Sequence, residues 1–573
     1  MAPHRRRAGR WAAALGCDPR PVEACLRRRC LKNLRGGTYR RRLARAPPGR
    51  RHVKSAPPIF ACWGTTMLNV SRLRPDVGIP LTNATLSLHS DRLTVPTYDR
   101  SALVPAVVHI GVGGFHRAHQ AMYLDDLARK GISQSWGVVG VGLRRREMKE
   151  ALSAQDCLYT VVERGTGVER ARVVGSLCAY HYAGDEAAHV RAALADERTR
   201  VVTLTITGNG YHLDPKSGEL DTECEAIQTD CSSVGQFQTA WGYLADALDR
   251  RRRSGTPPFT VLSCDNMPDN GKAARTALVS FAQLRDPRLA RWIENNVAFP
   301  STMVDRITPK TSPEDRDSIQ RRFGVADLWP VVTEPFTQWI VEDHFCNGRP
   351  QLEEVGAEMV NDVTAHKLVK TRMLNGVHCA IGYLGLLAGY RRTAEAMADP
   401  LIYRYVEQMM QHEIAPLLPS VPGWNLDQYR RVLMDRLTNP HISDQCSRLA
   451  ARGSTKMPAY LLPSLHEARA QRRPHAMLTL ALAAWLRYLR GYDFAGASFT
   501  IEDQRAPELT TLAKLGQKNA RPLLEIRDIF GDLGTDSAFV HRVSASLRDI
   551  DERGVRDTLR RNVSGELADA VAK

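Results

Sequence analysis

Lys370, Asn375 and His378 fall within the short segment KTRMLNGVH, which has helical periodicity. On an ideal α-helix that advances about 100° per residue, Asn375 lies about 140° from Lys370, and His378 lies between them at about 80°. All three polar side chains can therefore face one cleft. A lysine of depressed pKa could accept the proton of a secondary alcohol, while an amide and an imidazole hold the developing negative oxygen. The residues alone are also compatible with an ordinary solvated helix face.

A second segment, GVGGFHRAHQ at 111–120, has the composition of a nucleotide-binding turn. Glycines between a strand and a helix let the backbone approach a pyrophosphate, which the helix dipole then stabilises. Position 116, where the third glycine of GxGxxG would stand, is histidine, so a glycine-rich turn without a ligand is the alternative. We predict that a nicotinamide dinucleotide contacts Gly111, Gly113, Gly114, Phe115 and Arg117.

The next apolar run covers residues 136–143. The residues that follow it should face the adenosine ribose of such a cofactor. An acid there would accept a hydrogen bond from the ribose 2′-hydroxyl and favour NAD, whereas arginines would accommodate the 2′-phosphate of NADP. The sequence RRRE at 144–147 offers both kinds of side chain. We predict contacts from Arg146 and Glu147 and NAD as the cofactor, with NADP as the alternative.

The segments that must position these residues alternate between strand and helix patterns. Short runs rich in β-branched residues predict buried parallel strands, and stretches of helical character at 187–196 and 239–253 lie between them. This repetition predicts an α/β fold with a Rossmann-like, doubly wound parallel sheet. The predicted strands cover residues 107–110, 138–141, 201–206 and 259–262.

After about residue 355 the pattern changes to successive helical periodicities with few strand signals. We therefore predict three parts: a basic extension at 1–66, a Rossmann-like NAD(P)-binding domain at 67–355, and a mainly α-helical substrate-binding and catalytic domain at 356–573. The predicted helices of the last part cover residues 366–388, 394–418, 426–437, 473–490 and 537–553.

The net charge of +17 is concentrated in residues 1–66. That segment holds 17 of the 79 basic residues and two of the 62 acidic ones, so the rest of the chain has 62 basic and 60 acidic residues. A basic groove for nucleic acid is therefore not expected in the folded part. The segment itself could be an organellar transit peptide, a basic arm that binds anions such as nucleic acid, or an upstream translation absent from a native protein that starts at Met67.

The 12 cysteines include no CxxC pair, and the 17 histidines show no metal-ligand spacing. This pattern predicts a reduced, cytoplasmic chain without a metal site, with organellar import as the alternative if residues 1–66 are a transit peptide. No apolar run reaches the roughly 20 residues that a membrane helix needs. We therefore expect a protein that does not enter a membrane.

Six segments together resemble the mannitol dehydrogenase family of polyol-specific long-chain dehydrogenases. One such motif could arise by chance, but the series, in the family's order and spacing, could not. The likeness spans residues 95 to 559. The segments are GVGGFHRAHQ at 111–120, SCDN at 263–266, NG at 270–271, FPSTMVDRITP at 299–309, EPFTQWIVEDHF at 334–345 and KTRMLNGVH at 370–378.

The resemblance implies an oxidoreductase that interconverts D-mannitol and D-fructose without a metal ion, by hydride transfer to and from a nicotinamide cofactor. It implies a lysine general base and a monomer whose partners are a small polyol or ketose, not nucleic acid or a membrane. The alternatives that it leaves are a dehydrogenase of arabinitol or sorbitol and a reductase of fructuronate or tagaturonate.

Residue roles follow from the same resemblance by position. Lys370 resembles the general base, and Asn266 and Asn375 resemble the amides that stabilise the reacting oxygen. His378 resembles the imidazole that binds the substrate, and Asp305 and Arg448 resemble residues that bind its other hydroxyls. Two structural alternatives stay open: Asp305 could form an ion pair with its neighbour Arg306, and Arg448 could cap a helix.

Three positions depart from the family's pattern. The turn at 207–211, TGNGY, lacks the acid of the family's TEGGY-like segment, and Lys367 stands where a glutamate is frequent. NAD-preferring members have acids where Arg145 and Arg146 stand. A cation at Lys367 would lower the pKa of Lys370, so we expect altered proton exchange or a shifted pH optimum. Lys367 could also attract a carboxylate substrate, and a catalytically silent family member is the remaining alternative.

Overall fold

In the computed structural model, which describes residues 78–214 and 217–563, a five-stranded parallel sheet lies at the centre of the first half of the chain. Its strand order is β3-β2-β1-β4-β5, which confirms the predicted Rossmann-like α/β fold. In chain order the strands are β1 (Val107–Ile110), β2 (Val138–Gly142), β3 (Leu177–Tyr182), β4 (Val201–Leu204) and β5 (Thr260–Ser263).

Four of these strands were predicted from their β-branched residues, and every residue in β1, β2, β4 and β5 is buried. The bounds of β1 agree with the prediction, and β4 ends at Leu204, two residues earlier than predicted. The edge strand β3 was not predicted. Its sequence LCAYHY contains no β-branched residue, and only Leu177 and Tyr180 are fully buried in it.

Helices cover both faces of this sheet. Val108 and Val202 pack into one apolar cluster with the helix Ala240–Ser254, and Val107 and Val201 pack into another with Gln120–Arg129. The predicted helices at 187–196 and 239–253 correspond to Ala183–Ala195 and Ala240–Ser254. Further helices of this half are Gly114–Ala118, Arg146–Ala154, Glu225–Ser232, Asn270–Arg285, Pro287–Asn296 and Pro313–Phe323, and the short 3-10 helices are Leu86–His89, Arg100–Ala102, Gly208–Tyr211 and Leu352–Val355.

Three smaller sheets flank the central one. In one of them Thr302–Asp305 runs antiparallel to Gln338–Glu342, so that Asp305 ends its strand opposite Gln338. Gln338–Glu342 also pairs in parallel with Glu358–Val360, just beyond the predicted domain boundary at residue 355. The other pairings are Tyr159–Gly165 with Val168–Val174 and Val331–Thr333, and Ile79–Pro80 with Val325–Ala326.

The second half is mainly helical, as predicted. The expected long helix at 394–418 is divided, because Pro400 starts a new helix whose N-cap, Asp399, accepts a hydrogen bond from the backbone N–H of Leu401 at 3.0 Å. The α-helices after residue 390 are Thr393–Ala398, Pro400–Gln408, Leu426–Leu437, Cys446–Ala450, Gly453–Lys456, Leu462–Ala470, Ala476–Tyr488, Ala506–Gly516, Arg521–Leu524, Arg527–Phe530 and Ser537–Val563, with π-helical segments at Met409–Ile414 and Met457–Leu461 and 3-10 turns at Ala415–Leu417 and Leu533–Thr535.

One helix of this half, at 364–387, is continuous but changes its geometry in the middle. It begins as an α-helix (Thr364–Lys370), widens to a π-helix (Thr371–Gly376) and returns to an α-helix (Val377–Leu387). Its last segment is almost entirely buried. A Cβ atom on Gly382 would lie 2.9 Å from the backbone nitrogen of Ala450, so the neighbouring helix packs closely against it.

Some predictions are not tested by these elements. Residues 1–66, and with them the transit-peptide, basic-arm and Met67 alternatives, lie outside the described residues. The domain bounds 67–355 and 356–573, the monomeric state and the cytoplasmic location stay predictions. None of the helices in the described part of the chain is long and apolar enough to cross a membrane.

Candidate active site

A cavity of about 980 Å³ lies at the carboxyl ends of β1, β2 and β4. It begins where β1 turns at Gly111, whose φ of +100° favours glycine. A Cβ atom at Gly111 would lie 2.3 Å from the carbonyl oxygen of Thr205, which no side chain could tolerate. At Gly113 and Gly114 the nearest atoms to such a Cβ are 3.7 Å away. The protein itself therefore requires a glycine at Gly111, and the other two leave their backbone open to the cavity.

Six of the seven predicted cofactor contacts line this cavity: Gly111, Gly113, Gly114, Phe115, Arg117 and Glu147. Arg117 is buried, and its guanidinium donates to the carbonyl oxygens of Gly113, at 3.3 Å, and Trp329. It therefore holds the shape of the glycine turn. The seventh, Arg146, is not part of the lining, because its guanidinium binds Asp185 at 2.6 Å.

Lys370 and Asn266 form the central pair of the candidate site. The Nζ atom of Lys370 donates to Oδ1 of Asn266 at 2.7 Å, and only 4% of Lys370 is exposed. Burial lowers the pKa of Lys370 to about 8; nearby Asp305 opposes this change, while the charges of Arg436 and Arg448 add to it. At pH 7 roughly a tenth of Lys370 is therefore the free amine that a general base requires, far more than for an ordinary lysine.

Two polar atoms on the same helix as Lys370 have no partner among the described residues. Among the described residues, Nδ2 of Asn375 and Nε2 of His378 are buried without a hydrogen bond. Burial, followed by the charges of Arg448 and Lys370, holds the pKa of His378 well below its usual range, so its imidazole is neutral. Buried unpaired polar atoms cost free energy, and the hydroxyl groups of a ligand could pair with them.

The π-helical segment changes how these side chains are presented. The predicted angles of about 140° and 80° assumed an α-helix throughout, and the segment Thr371–Gly376 between Lys370 and His378 does not have that geometry. A π-helical turn inside an α-helix is rare and is frequent at functional sites. The angular prediction was therefore wrong in detail, although Lys370, Asn375 and His378 are all on this helix.

Asp305 does not pair with Arg306. Both of its oxygens accept hydrogen bonds from Arg436, at 2.7 and 3.0 Å, and Arg436 also donates to Glu334 at 2.8 Å. Burial alone would raise the pKa of Asp305, but the charges of Arg436 and Lys370 outweigh it and hold that pKa below its usual value. Arg306 instead binds the carbonyl oxygen of Glu334 at 2.8 Å and the carboxylate of Glu163.

Arg436 was missed by the sequence analysis, since it belongs to no segment that resembles the family. It is buried, and it lies 3.9 Å from the ring centroid of Phe336. It joins the helix Leu426–Leu437 of the second half to two carboxylates of the first. This cluster of charges, Asp305, Glu334 and Arg436, forms a buried contact between the two halves.

Arg448 lies in the short helix Cys446–Ala450 and binds the carboxylate of Asp444 through two nitrogens, at 2.5 and 2.6 Å. Its side chain keeps 54% of its surface exposed while that of Asp444 is buried. Its positive charge contributes to the low pKa of both Lys370 and His378. Arg448 therefore lies within electrostatic reach of both and is not fixed as a helix cap.

Asn270, four residues after Asn266, joins several segments of the chain through hydrogen bonds. Its side chain is fully buried, and its Nδ2 donates to the carbonyl oxygens of Asp265 and Thr302 at 3.0 Å each. Its Oδ1 accepts from the backbone N–H of Thr302 at 3.1 Å and from Nζ of Lys367 at 3.0 Å. Lys367 therefore contacts an internal amide, a role that its type and position did not indicate.

Asp265 fixes the turn at 207–211 that departs from the family's pattern. Its carboxylate accepts from the backbone N–H groups of Ile206, at 3.1 Å, and Thr207, at 2.7 Å, and from the hydroxyl of Tyr211 at 2.9 Å. These bonds hold Thr207 at a φ of +64°, which is unusual for a threonine. A Cβ atom at Gly208 would meet nothing within 4 Å, so the turn would accept a side chain there.

The fold also brings together three potential metal ligands that the sequence spacing did not indicate. The ligand atoms of His181, Glu186 and His189 all lie within 4.8 Å of one another. Glu186 already accepts from Nζ of Lys149 at 2.9 Å, and none of the three lines the cavity. That no metal takes part in the reaction stays a prediction.

Comparisons with known proteins agree over most of the chain. Residues 105–354 match a family model described as the mannitol dehydrogenase Rossmann domain, and residues 362–551 match the mannitol dehydrogenase C-terminal domain. The chain is similar to the mannitol 2-dehydrogenase of Aspergillus terreus, with 44% identity over 478 residues, 82% of this chain and 95% of the relative. It is also similar to that of Aspergillus clavatus, with 45% identity over 81% of this chain and 94% of the relative.

Two solved structures share the fold throughout. The mannitol 2-dehydrogenase of Pseudomonas fluorescens, in a ternary complex with NAD and D-mannitol, superposes with a TM-score of 0.79 and 39% identity, covering 85% of this chain and all of that one. A D-sorbitol dehydrogenase in substrate-free form superposes with a TM-score of 0.76 and 34% identity, covering 84% of this chain and all of that one.

Proposed function

The chain belongs to the mannitol dehydrogenase family and is a polyol dehydrogenase, and on that basis we propose that it interconverts D-mannitol and D-fructose. The structure of the similar enzyme from Pseudomonas fluorescens is a ternary complex with NAD and D-mannitol, which supports mannitol as the substrate and a nicotinamide dinucleotide as the cofactor. The observation that carries the proposal is the buried Lys370, with a pKa of about 8, which is bound to Asn266 and shares its helix with two unpaired polar atoms. This arrangement suits removal of a proton from a secondary alcohol.

The cavity at the glycine turn fits a nicotinamide dinucleotide. Its volume of about 980 Å³ is at the upper end of the usual range for ligand sites, and the exposed backbone of Gly113 and Gly114 would let a pyrophosphate approach. When bound, the cofactor would accept a hydride from the alcohol carbon or return it to the ketone. Thr207 lines this cavity and is bound to Asp265, the residue before Asn266, so the cavity and the base are neighbours.

In this proposal the protein's own residues manage the proton and the charge on oxygen. Lys370, as the free amine, accepts the hydroxyl proton during oxidation and returns it during reduction. Because Oδ1 of Asn266 is occupied by Lys370, its Nδ2 can donate to the reacting oxygen, as can Nδ2 of Asn375. The neutral imidazole of His378 completes the contacts. Two amides and a lysine supply the polarisation that a metal ion would otherwise provide, which supports a reaction without metal.

The rest of the polyol would contact Arg448 and Asp305. Arg448 keeps about half of its side chain exposed and can donate to hydroxyls. Asp305 is already bound by Arg436 through both oxygens, so a hydroxyl would have to use its remaining lone pairs. Arg436 would therefore position Asp305 for the substrate.

The test is turnover of a polyol or ketose by the purified protein. Oxidation of NADH and of NADPH is followed separately with fructose, fructuronate and xylulose. We expect oxidation with fructose and its loss in Lys370→Ala. Turnover with none of the three, despite measurable cofactor binding, would contradict the proposal and indicate a silent family member or another substrate.

A second candidate substrate is sorbitol, because a D-sorbitol dehydrogenase shares the fold at 34% identity. The same assay run in the direction of oxidation, with mannitol, sorbitol and arabinitol, separates the candidates by kcat/KM. A sugar-acid substrate is less well supported, since the extra cation Lys367 is half-buried and donates to Asn270 at 3.0 Å.

A further inference from the structure

The cofactor cavity has a strongly cationic lining. Its lining contains one acid, Glu147, and five cationic side chains, Arg117, Arg144, Arg145, Lys310 and Arg316. A dinucleotide pyrophosphate carries two negative charges, so the lining has more positive charge than NAD would neutralise. The excess favours a ligand with an additional phosphate.

Arg144 and Arg145 differ from the neighbouring Arg146. The guanidinium of Arg146 is bound by Asp185 at 2.6 Å and does not line the cavity. Neither Arg144 nor Arg145 makes a hydrogen bond or ion pair with another described residue, although both line the cavity. Their guanidinium N–H groups are therefore available to a ligand. A guanidinium can bind two phosphate oxygens at once through paired hydrogen bonds.

The position of these arginines identifies the part of the ligand that they would meet. They come after Leu143, which follows the last residue of β2, Gly142. The strand β2 lies next to β1, whose glycine turn faces the pyrophosphate in folds of this kind. The residues at the end of the second strand then face the ribose of the adenosine, where the 2′-hydroxyl of NAD and the 2′-phosphate of NADP differ.

We propose that Arg144 and Arg145 form a subsite for the 2′-phosphate of NADP(H), so that the enzyme prefers the phosphorylated dinucleotide. This inference rests on the proposed function only in taking the cavity as the dinucleotide site. Glu147 is the opposing element: its carboxylate could accept from the 2′-hydroxyl of NAD and would repel a phosphate at the same place.

The test measures binding of two nucleotide fragments that differ only in the 2′-phosphate, adenosine 2′,5′-bisphosphate and 5′-AMP, by titration calorimetry of the full chain. We expect the bisphosphate to bind at least about tenfold more tightly, the effect of one to two charge-assisted hydrogen bonds. The double variant Arg144→Ser/Arg145→Ser should reduce this preference to about twofold or less. Glu147→Gln should increase it.

The matched control is Arg198→Ser, which removes one positive charge from an exposed arginine. Arg198 lies just before the amino end of β4, whereas the cavity lies at the carboxyl ends of the strands. It should leave the preference for the bisphosphate unchanged. Equal binding of the two fragments by the unmodified protein, or a preference that survives the double substitution, would overturn the subsite.

Titrations with NADPH and NADH complete the test. Because no polyol is present, their outcome does not depend on which substrate is turned over. Tighter binding of NADPH together with no reduction of fructose would contradict the proposed substrate and support the subsite. Failure of both dinucleotides to bind would overturn the cofactor site and the subsite alike.

Discussion

Two lysine–asparagine pairs lie one helical turn apart and differ in what surrounds the amide. Lys370 binds Asn266 at 2.7 Å, and Lys367 binds Asn270 at 3.0 Å. Burial is the largest cause of the low pKa in both lysines, and both values are about 8. Residue type, bond and pKa therefore do not distinguish the two pairs.

The surroundings of the two amides do distinguish them. Asn270 is fully buried, and both ends of its amide are occupied by the backbone of neighbouring segments. Asn266 is exposed, and within the described part of the chain its Oδ1 accepts from Lys370 while its Nδ2 has no partner. A perturbed lysine is therefore a candidate for catalysis only where its partner can still bind a substrate, as at Asn266.

The largest expected effect comes from breaking the Lys370 pair. Lys370→Ala should lower kcat/KM for the polyol by about 10³-fold, because proton transfer then lacks its base. Cofactor binding, measured by fluorescence, should change little, since Lys370 does not line the cavity. The control Lys272→Ala removes an exposed lysine from the helix Asn270–Arg285 and should leave kcat/KM unchanged. Activity retained in Lys370→Ala would contradict the proposed base.

Exchanging each amide for alanine tests the comparison directly. Asn266→Ala should lower kcat by about 10²-fold, because one donor to the reacting oxygen is lost, while the melting temperature stays nearly constant. Asn270→Ala should instead lower the free energy of unfolding by about 2–3 kcal/mol, because buried backbone groups lose their partners. Denaturant unfolding and steady-state kinetics are measured on both variants. The same pattern of losses in both would remove the distinction between the two pairs.

The pH dependence should follow the pKa of Lys370, about 8. Oxidation needs the neutral amine, so log kcat/KM should rise by about one per pH unit below this value and level off above it. Reduction needs the protonated amine, so its kcat/KM should level off below pH 8 and fall above it. pH profiles that change in opposite directions for oxidation and reduction would confirm Lys370 as the group that transfers the proton. Profiles that change in the same direction would refute it.

The smallest expected effect concerns Lys367. The charge of Lys370 is one of the minor causes of the low pKa of Lys367, so the two ammonium groups repel each other weakly. Lys367→Met removes that repulsion and should move the inflection of the oxidation profile upward by about 0.5 pH unit. A downward shift would show that Lys367 affects Lys370 by some route other than its charge.

Much of the fold could be predicted from local patterns. The β-branched run Val107–Ile110, ended by Gly111, identified the first strand, and the helices of the second half followed from their apolar periodicity. The strand Leu177–Tyr182 could not be identified, because an edge strand that is half exposed lacks a continuous apolar run. The division of the predicted helix at 394–418 had a local signal, Asp399 before Pro400, that the periodicity obscured.

The candidate site was predictable only where its residues are close in sequence or belong to a segment of the family. Lys370, Asn375 and His378 lie on one helix. Arg436 could not be connected with Asp305 across 131 residues, since an isolated arginine in an amphipathic helix suggests a solvated face. The role of Lys367 depends on where Asn270 lies, which is a property of the folded chain.

The buried contact between Arg436 and the two carboxylates has a consequence for the order in which the chain is made. Asp305 and Glu334 leave the ribosome 131 and 102 residues before Arg436. At roughly 5–20 residues per second, Asp305 waits roughly 7 to 26 seconds for its counter-ion. During that time the two carboxylates must stay hydrated, because closing them into the interior alone would be costly. The nucleotide-binding half can therefore bury Asp305 and Glu334 only once the helix Leu426–Leu437 has been synthesised.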